Sequence, residues 1–203
     1  VDQPINGERW IGAMDGSATF NGAAIKTSAR DSLSEANLFT TDLGLYSSDQ
    51  ATAMQRLSAA TKLMRQGTDC YAFAMLAMGF VDIVTETNLN EWDMASHVPI
   101  IENAGGIVTD WQGKPLRFDG QVGIETAIAT ANPALHAQAL AVLQGERSSD
   151  LLQYFELQQR SFQRIRTSIE MGPPIELDCR LKILFPIINE ENLLRRIAKS
   201  PRR

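Results

Sequence analysis

Gly67-Thr68-Asp69-Cys70-Tyr71, Val81-Asp82-Ile83-Val84-Thr85-Glu86, Trp92-Asp93 and Ala104-Gly105-Gly106 follow one another between residues 67 and 106, and the elements they imply decide the fold. Asp69 to Met78 is mostly apolar and reads as a helix, closed by Gly79 as its C-terminal cap. Val81 to Glu86 is rich in β-branched residues and reads as a strand. Asp93 to Asn103 reads as a second helix, ended by Gly105-Gly106. Ile107 to Asp110 reads as another strand, with a turn over Trp111-Gln112-Gly113-Lys114.

Working outward, Arg9 to Gly12 and Ala18 to Phe20 are short strand candidates. Asn21-Gly22 is a two-residue turn signal because both residues accept positive φ, and Ala23 to Lys26 is the expected returning strand. Met54, Leu57, Thr61 and Met64 recur at helical spacing, so a helix is expected from Asp49 to Gln66. Asn132-Pro133 is a helix start, with Asn as cap and Pro in the first turn; that helix should reach about Leu143. Residues 148–166 carry Leu151, Leu152, Phe155, Phe162 and Ile165 roughly on one side of a possible helix. Helices and strands in mixed order, without an internal repeat, give a mixed α/β class whose strands need not be parallel.

The chain has 203 residues, 44% of them hydrophobic and 21% charged, which suits one globular domain with or without an appendage. No apolar run approaches the length of a membrane span. Cys70 and Cys179 are the two cysteines, too few for a disulfide framework or a zinc cage, so a reducing, cytoplasmic setting is expected. The net charge of −5 argues against duplex nucleic acid as a partner. Charge is uneven: residues 1–144 carry 8 basic and 16 acidic groups, residues 145–203 carry 11 and 8. That shift places an expected seam near Gln144-Gly145-Glu146, with 1–144 as one domain and 145–203 as an unassigned basic extension whose scattered arginines read as a solvated face.

Four residues carry the candidate chemistry. Asp93 stands where a helix begins, so its carboxylate is either an N-cap or a hard oxygen ligand for magnesium. Glu86 ends a strand and is either a solvated acid or an acceptor for a substrate hydroxyl or ammonium. Thr68 follows Gly67 ahead of a helix, where backbone N–H groups can meet an anion. Asp69 is either that helix's cap or a substrate contact. His97, four residues after Asp93, could share a metal but reads better as a half-buried histidine; Cys70 reads as core packing. No Ser-His-Asp or Cys-His arrangement is legible.

Taken in order, the runs Gly67 to Ala74, Gly79 to Asp82, Trp92 to Ala95 and Val98 to Gly106 resemble the C-terminal signature of the inositol monophosphatase family. Asp69-Cys70-Tyr71 and Thr109 to Leu116 look most like its histidinol-phosphate phosphatases, and Gln3 to Trp10 fits the strand leaving the active-site half. The resemblance covers residues 1–144. It implies the C-terminal half of a layered αβαβα phosphatase fold and a Mg2+-dependent phosphate monoester hydrolase. Asp93 would be a metal ligand, Glu86 would meet the alcohol portion of the substrate, and Thr68 and Asp69 would line its pocket. The family's first acidic ligand and its Asp-Pro-Ile-Asp-Gly-Thr motif lie ahead of the Gln3-Pro4 strand. The chain opens at that strand, so it is expected to be a piece of a longer protein and inactive alone.

L-histidinol phosphate is the first substrate expected, with an inositol phosphate or related sugar phosphate as the nearest rival. A rival of another class is a non-catalytic interaction module. A small-molecule phosphate monoester, no nucleic acid, no membrane and a homodimer complete the expectations.

Overall fold

The computed structural model describes residues 1–120 and 123–145. The possible helix over 148–166 lies outside them, as do all residues of the expected extension after Gly145. No helix among the described residues is long and apolar enough to cross a membrane.

The chain opens on four short antiparallel strands, β1 (Asp2–Gln3), β2 (Glu8–Gly12), β3 (Ala18–Phe20) and β4 (Ala23–Ala24), in that spatial order. Asn21 and Gly22 take φ of 48° and 81° and turn β3 into β4, as the dipeptide predicts. The returning strand stops at Ala24 rather than Lys26. A five-stranded sheet follows, built from β5 (Asn37–Thr40), α1 (Ser48–Ala60), β6 (Leu63–Gln66), α2 (Asp69–Ala77), β7 (Ile83–Leu89), α3 (Glu91–Met94), α4 (His97–Asn103), β8 (Ile107–Thr109), β9 (Ile124–Thr130) and α5 (Pro133–Leu143). Its order is β6-β5-β7-β9-β8; β6, β5 and β7 are parallel, and β9 is antiparallel to both β7 and β8.

The period-2 pleat sorts residues into two cores. Leu38, Ile83 and Ile128 face Met54 and Leu57 of α1 and Leu135 and Ala139 of α5. Val84, Ala127 and Ala129 face Phe73 and Leu76 of α2, Ile100 and Ile101 of α4, and Trp10 and Ala18 of the small sheet. The described residues therefore stack as helices, sheet, helices, sheet, as expected for part of a layered αβαβα fold. The small sheet sits tightly on α4: a Cβ at Gly12 would lie 2.5 Å from the backbone carbon of Pro99.

Two expected helices are corrected. The helix expected from Asp49 to Gln66 ends at Ala60, and Leu63 to Gln66 is an edge strand paired in parallel with β5. Its helical spacing continues past the true end because no Gly or Pro marks the stop; pairing Leu38 with Met64 overrides local preference. The helix expected from Asp93 to Asn103 is two short helices interrupted at Ala95–Ser96, and it starts at Glu91.

Candidate functional site

β5 and β6 end side by side, and the loop after β6 folds across that end. The Gly67 N–H meets the carbonyl oxygens of Thr40 and Thr41 at 3.2 and 3.0 Å. Gly67 has φ of 86°, and Asp69 takes φ of 44° although it carries a side chain. A non-glycine residue in the left-handed region, held at the carboxyl ends of parallel strands, marks the place where open α/β sheets bind ligands.

Glu86 is the buried acid of this place. It lies inside β7, paired with Ala127, and is 3% exposed, so the expected strand-end position is corrected: β7 runs on to Leu89. The Thr41 hydroxyl donates to Glu86 Oε1 at 2.9 Å. Burial pushes the Glu86 carboxyl up to about 7, the hydroxyl opposes that, and the negative charge of Asp69 adds to the rise. Glu86 and Asp69 therefore act on one another electrostatically. Behind Glu86, the Tyr46 hydroxyl lies 2.8 Å from Thr40 Oγ1 and donates to the Thr85 carbonyl, and burial pushes its pKa up. Thr40, Thr41 and Tyr46 are the site residues that sequence reading missed; a four-residue strand ending at Thr40 and followed by Thr41 is the available signal.

Thr68 occupies the N-cap position of α2 without a capping bond from its side chain. Its Oγ1 is buried and has no partner among the described residues. Asp69 is the first helical residue and is exposed, so it is not the cap. Cys70 is exposed, which corrects its assignment to the core: the first turn of α2 faces outward before the helix buries Ala72, Phe73 and Ala74.

Asp93 sits elsewhere in the chain's path, as the third residue of α3. Its carboxylate accepts the Asn90 N–H at 2.8 Å, so the acid closes a helix start without being the N-cap itself. It is partly exposed, and no cluster of three or more His, Cys, Asp or Glu able to hold a cation occurs among the described residues. His97 does not pair with the Asp93 carboxylate. Its Nδ1 lies 3.0 Å from the Asp93 carbonyl oxygen, and burial holds its pKa below the usual histidine value. His136 lies between the hydroxyls of Thr109 and Thr130 at 3.1 and 3.2 Å, a packing role.

The described residues form a layered mixed α/β unit with a buried acid, Glu86, beside the carboxyl end of the parallel strands. The chain belongs to the inositol monophosphatase family, whose sequence profile matches residues 1–148. It is 40% identical over 148 residues to the chloroplastic bifunctional phosphatase IMPL2 of Arabidopsis thaliana, covering 71% of this chain and 43% of that protein. It is 30% identical over 150 residues to a histidinol-phosphatase of Streptomyces coelicolor, covering 70% and 54%. An inositol monophosphatase structure from Zymomonas mobilis superposes with a TM-score of 0.67 at 34% identity, covering 70% and 55%. The chain thus spans about half the length of the curated relatives it matches.

Proposed function

We propose that the protein to which this chain contributes hydrolyses phosphate monoesters of small alcohols, with L-histidinol phosphate the first substrate. The observation that carries the substrate class is Glu86, a buried acid whose carboxyl is pushed up to about 7 by burial, with the negative charge of Asp69 adding to the rise. A buried carboxylate favours an alcohol bearing a cation, because an ammonium compensates its charge where a neutral polyol does not. The similarity to a histidinol-phosphatase supports the same choice. Thr41 fixes the carboxylate of Glu86, and the Thr68 hydroxyl, buried and unpartnered, is a donor awaiting a substrate oxygen.

Mg2+ is the cation this reading calls for, because a bound divalent ion neutralises phosphate charge and lowers the pKa of its water. Asp93 fits a hard cation as one oxygen ligand, but a single carboxylate is not a cage, and the described residues supply no cluster to complete it. Further ligands would have to come from elsewhere in the protein to which this chain contributes. A cytoplasmic homodimer is part of the same proposal.

The rival substrate is a neutral inositol or sugar phosphate, favoured by the likeness to inositol monophosphatases. Phosphate release from a panel of histidinol phosphate, inositol monophosphates and hexose phosphates, with and without Mg2+, separates the two. Asp93→Asn should lower turnover by at least about 100-fold, since even outer partners of a metal site cost about 10- to 100-fold. Undiminished turnover removes Asp93 from the site, and no turnover of any monoester by the full-length wild type leaves the interaction-module reading standing.

A further inference from the structure

His97 is a buried ionisable group to which the reading above gives no task. It is 4% exposed and opens α4 directly after the break at Ala95–Ser96. Its ring packs against Phe73 of α2, with centroids 5.5 Å apart at 45°. Nδ1 lies 3.0 Å from the Asp93 carbonyl oxygen, and a carbonyl only accepts, so this nitrogen carries the proton. Nε2 is then a bare acceptor. It is buried and completes no hydrogen bond among the described residues.

An apolar side chain of similar size would fill the space against Phe73 without leaving a nitrogen orphaned. What the imidazole adds is a directional bond to the residue that carries the proposed metal carboxylate, made by a ring that also braces the first turns of α2. We propose that His97 is a positioning residue: its imidazole, set between the Asp93 carbonyl and the start of α2, fixes the Asp93 carboxylate relative to the Thr68–Asp69 turn. This rests on the functional reading above. Side chains on separate elements hold a productive geometry only when a supporting contact locks them, and the break at Ala95–Ser96 removes the continuous helix that would otherwise hold Asp93.

Three variants of the full-length protein test this. His97→Asn keeps an amide donor where Nδ1 stands, His97→Gln moves it to the place of Nε2, and His97→Leu removes it. For His97→Leu, the substrate KM and the Mg2+ concentration at half-maximal rate should rise about tenfold, the scale of an outer partner's loss. His97→Asn should stay within about threefold of wild type, and His97→Gln should follow His97→Leu. A readout independent of turnover is alkylation of the exposed Cys70 thiol in a Cys179→Ser background. His97→Leu should raise its rate about fivefold by loosening the first turn of α2, while His97→Asn leaves it near wild type.

Equal behaviour of the Asn and Leu variants, or unchanged KM, Mg2+ dependence and thiol reactivity in His97→Leu, overturns the proposal. If His97→Leu does not fold, the contrast between Asn and Gln decides. If the wild type releases no phosphate from any monoester, the functional reading fails by itself, and the thiol rates still decide whether His97 braces α2.

Discussion

Asp82 and Glu86 lie four positions apart on the same stretch of chain, both almost wholly buried, and they are treated oppositely. Asp82 precedes β7 and is 0% exposed. It accepts the Ser28 hydroxyl, the Arg30 guanidinium at 3.1 Å to both oxygens, and the Asn37 N–H at 2.8 Å. It thereby ties the segment ahead of β5 to the start of β7. Glu86 is given the Thr41 hydroxyl and the adverse charge of Asp69. A buried carboxylate surrounded by donors is a structural staple; one inside a strand, whose burial and acidic neighbour outweigh its donors, is a candidate for function.

The contrast breaks first at Asp82. Asp82→Ala strands a guanidinium, a hydroxyl and a backbone N–H together, and removal of one partner of a buried pair costs about 3–5 kcal/mol. Arg30 is partly exposed, so about 2–3 kcal/mol is expected here, read as a lowered urea midpoint with the denaturant slope unchanged. Phosphate release per folded molecule should hold. A fall in turnover without a fall in stability would move Asp82 into the site.

Glu86→Gln should do the reverse. The folded state keeps a proton that the unfolded chain releases between pH 4.5 and about 7, so the native state binds more protons there and stability falls as pH rises through that window. Removing the acid abolishes this loss and stabilises the protein above pH 7 by about 1–2 kcal/mol, after discounting for solvent screening. In the same variant KM for histidinol phosphate should rise about tenfold and lose its decrease as pH passes through 7, because an ionised Glu86 is what attracts the ammonium. Identical pH-stability curves for wild type and variant would show that Glu86 is not desolvated.

Thr41→Val gives the smallest effect. It deletes one hydroxyl that favours the charged carboxylate, so the Glu86 titration should move further upward while stability changes by about 0.5–1 kcal/mol. Carbon-detected NMR of the Glu86 carboxyl against pH reads the shift directly. A downward shift would mean that the Thr41 hydroxyl is not its donor.

Much of the frame is visible before folding. Asn21-Gly22, the Gly79 stop and the Asn132-Pro133 start are local chemical signals, and each stands where read: Asn132 accepts the Leu135 N–H at 3.0 Å and Pro133 opens α5. The strands that place the site were less legible. β5 is four residues long, β6 is written in helix-forming residues, and β9 mixes alanine with β-branched residues in no clear alternation. The candidate site shows the same split: Glu86 and Asp69 could be named as acids in a suggestive order, but not as neighbours.

The amino-acid order by itself determined turns, caps and the apolar spacing of α2 and α5, because these depend on φ preference and contacts within a few residues. Only the tertiary structure decided that Met64 belongs to a strand, that Glu86 is buried and that Cys70 is exposed. Each of those depends on which distant segment lies alongside, and the free energy of such pairing and desolvation is absent from any local window of residues.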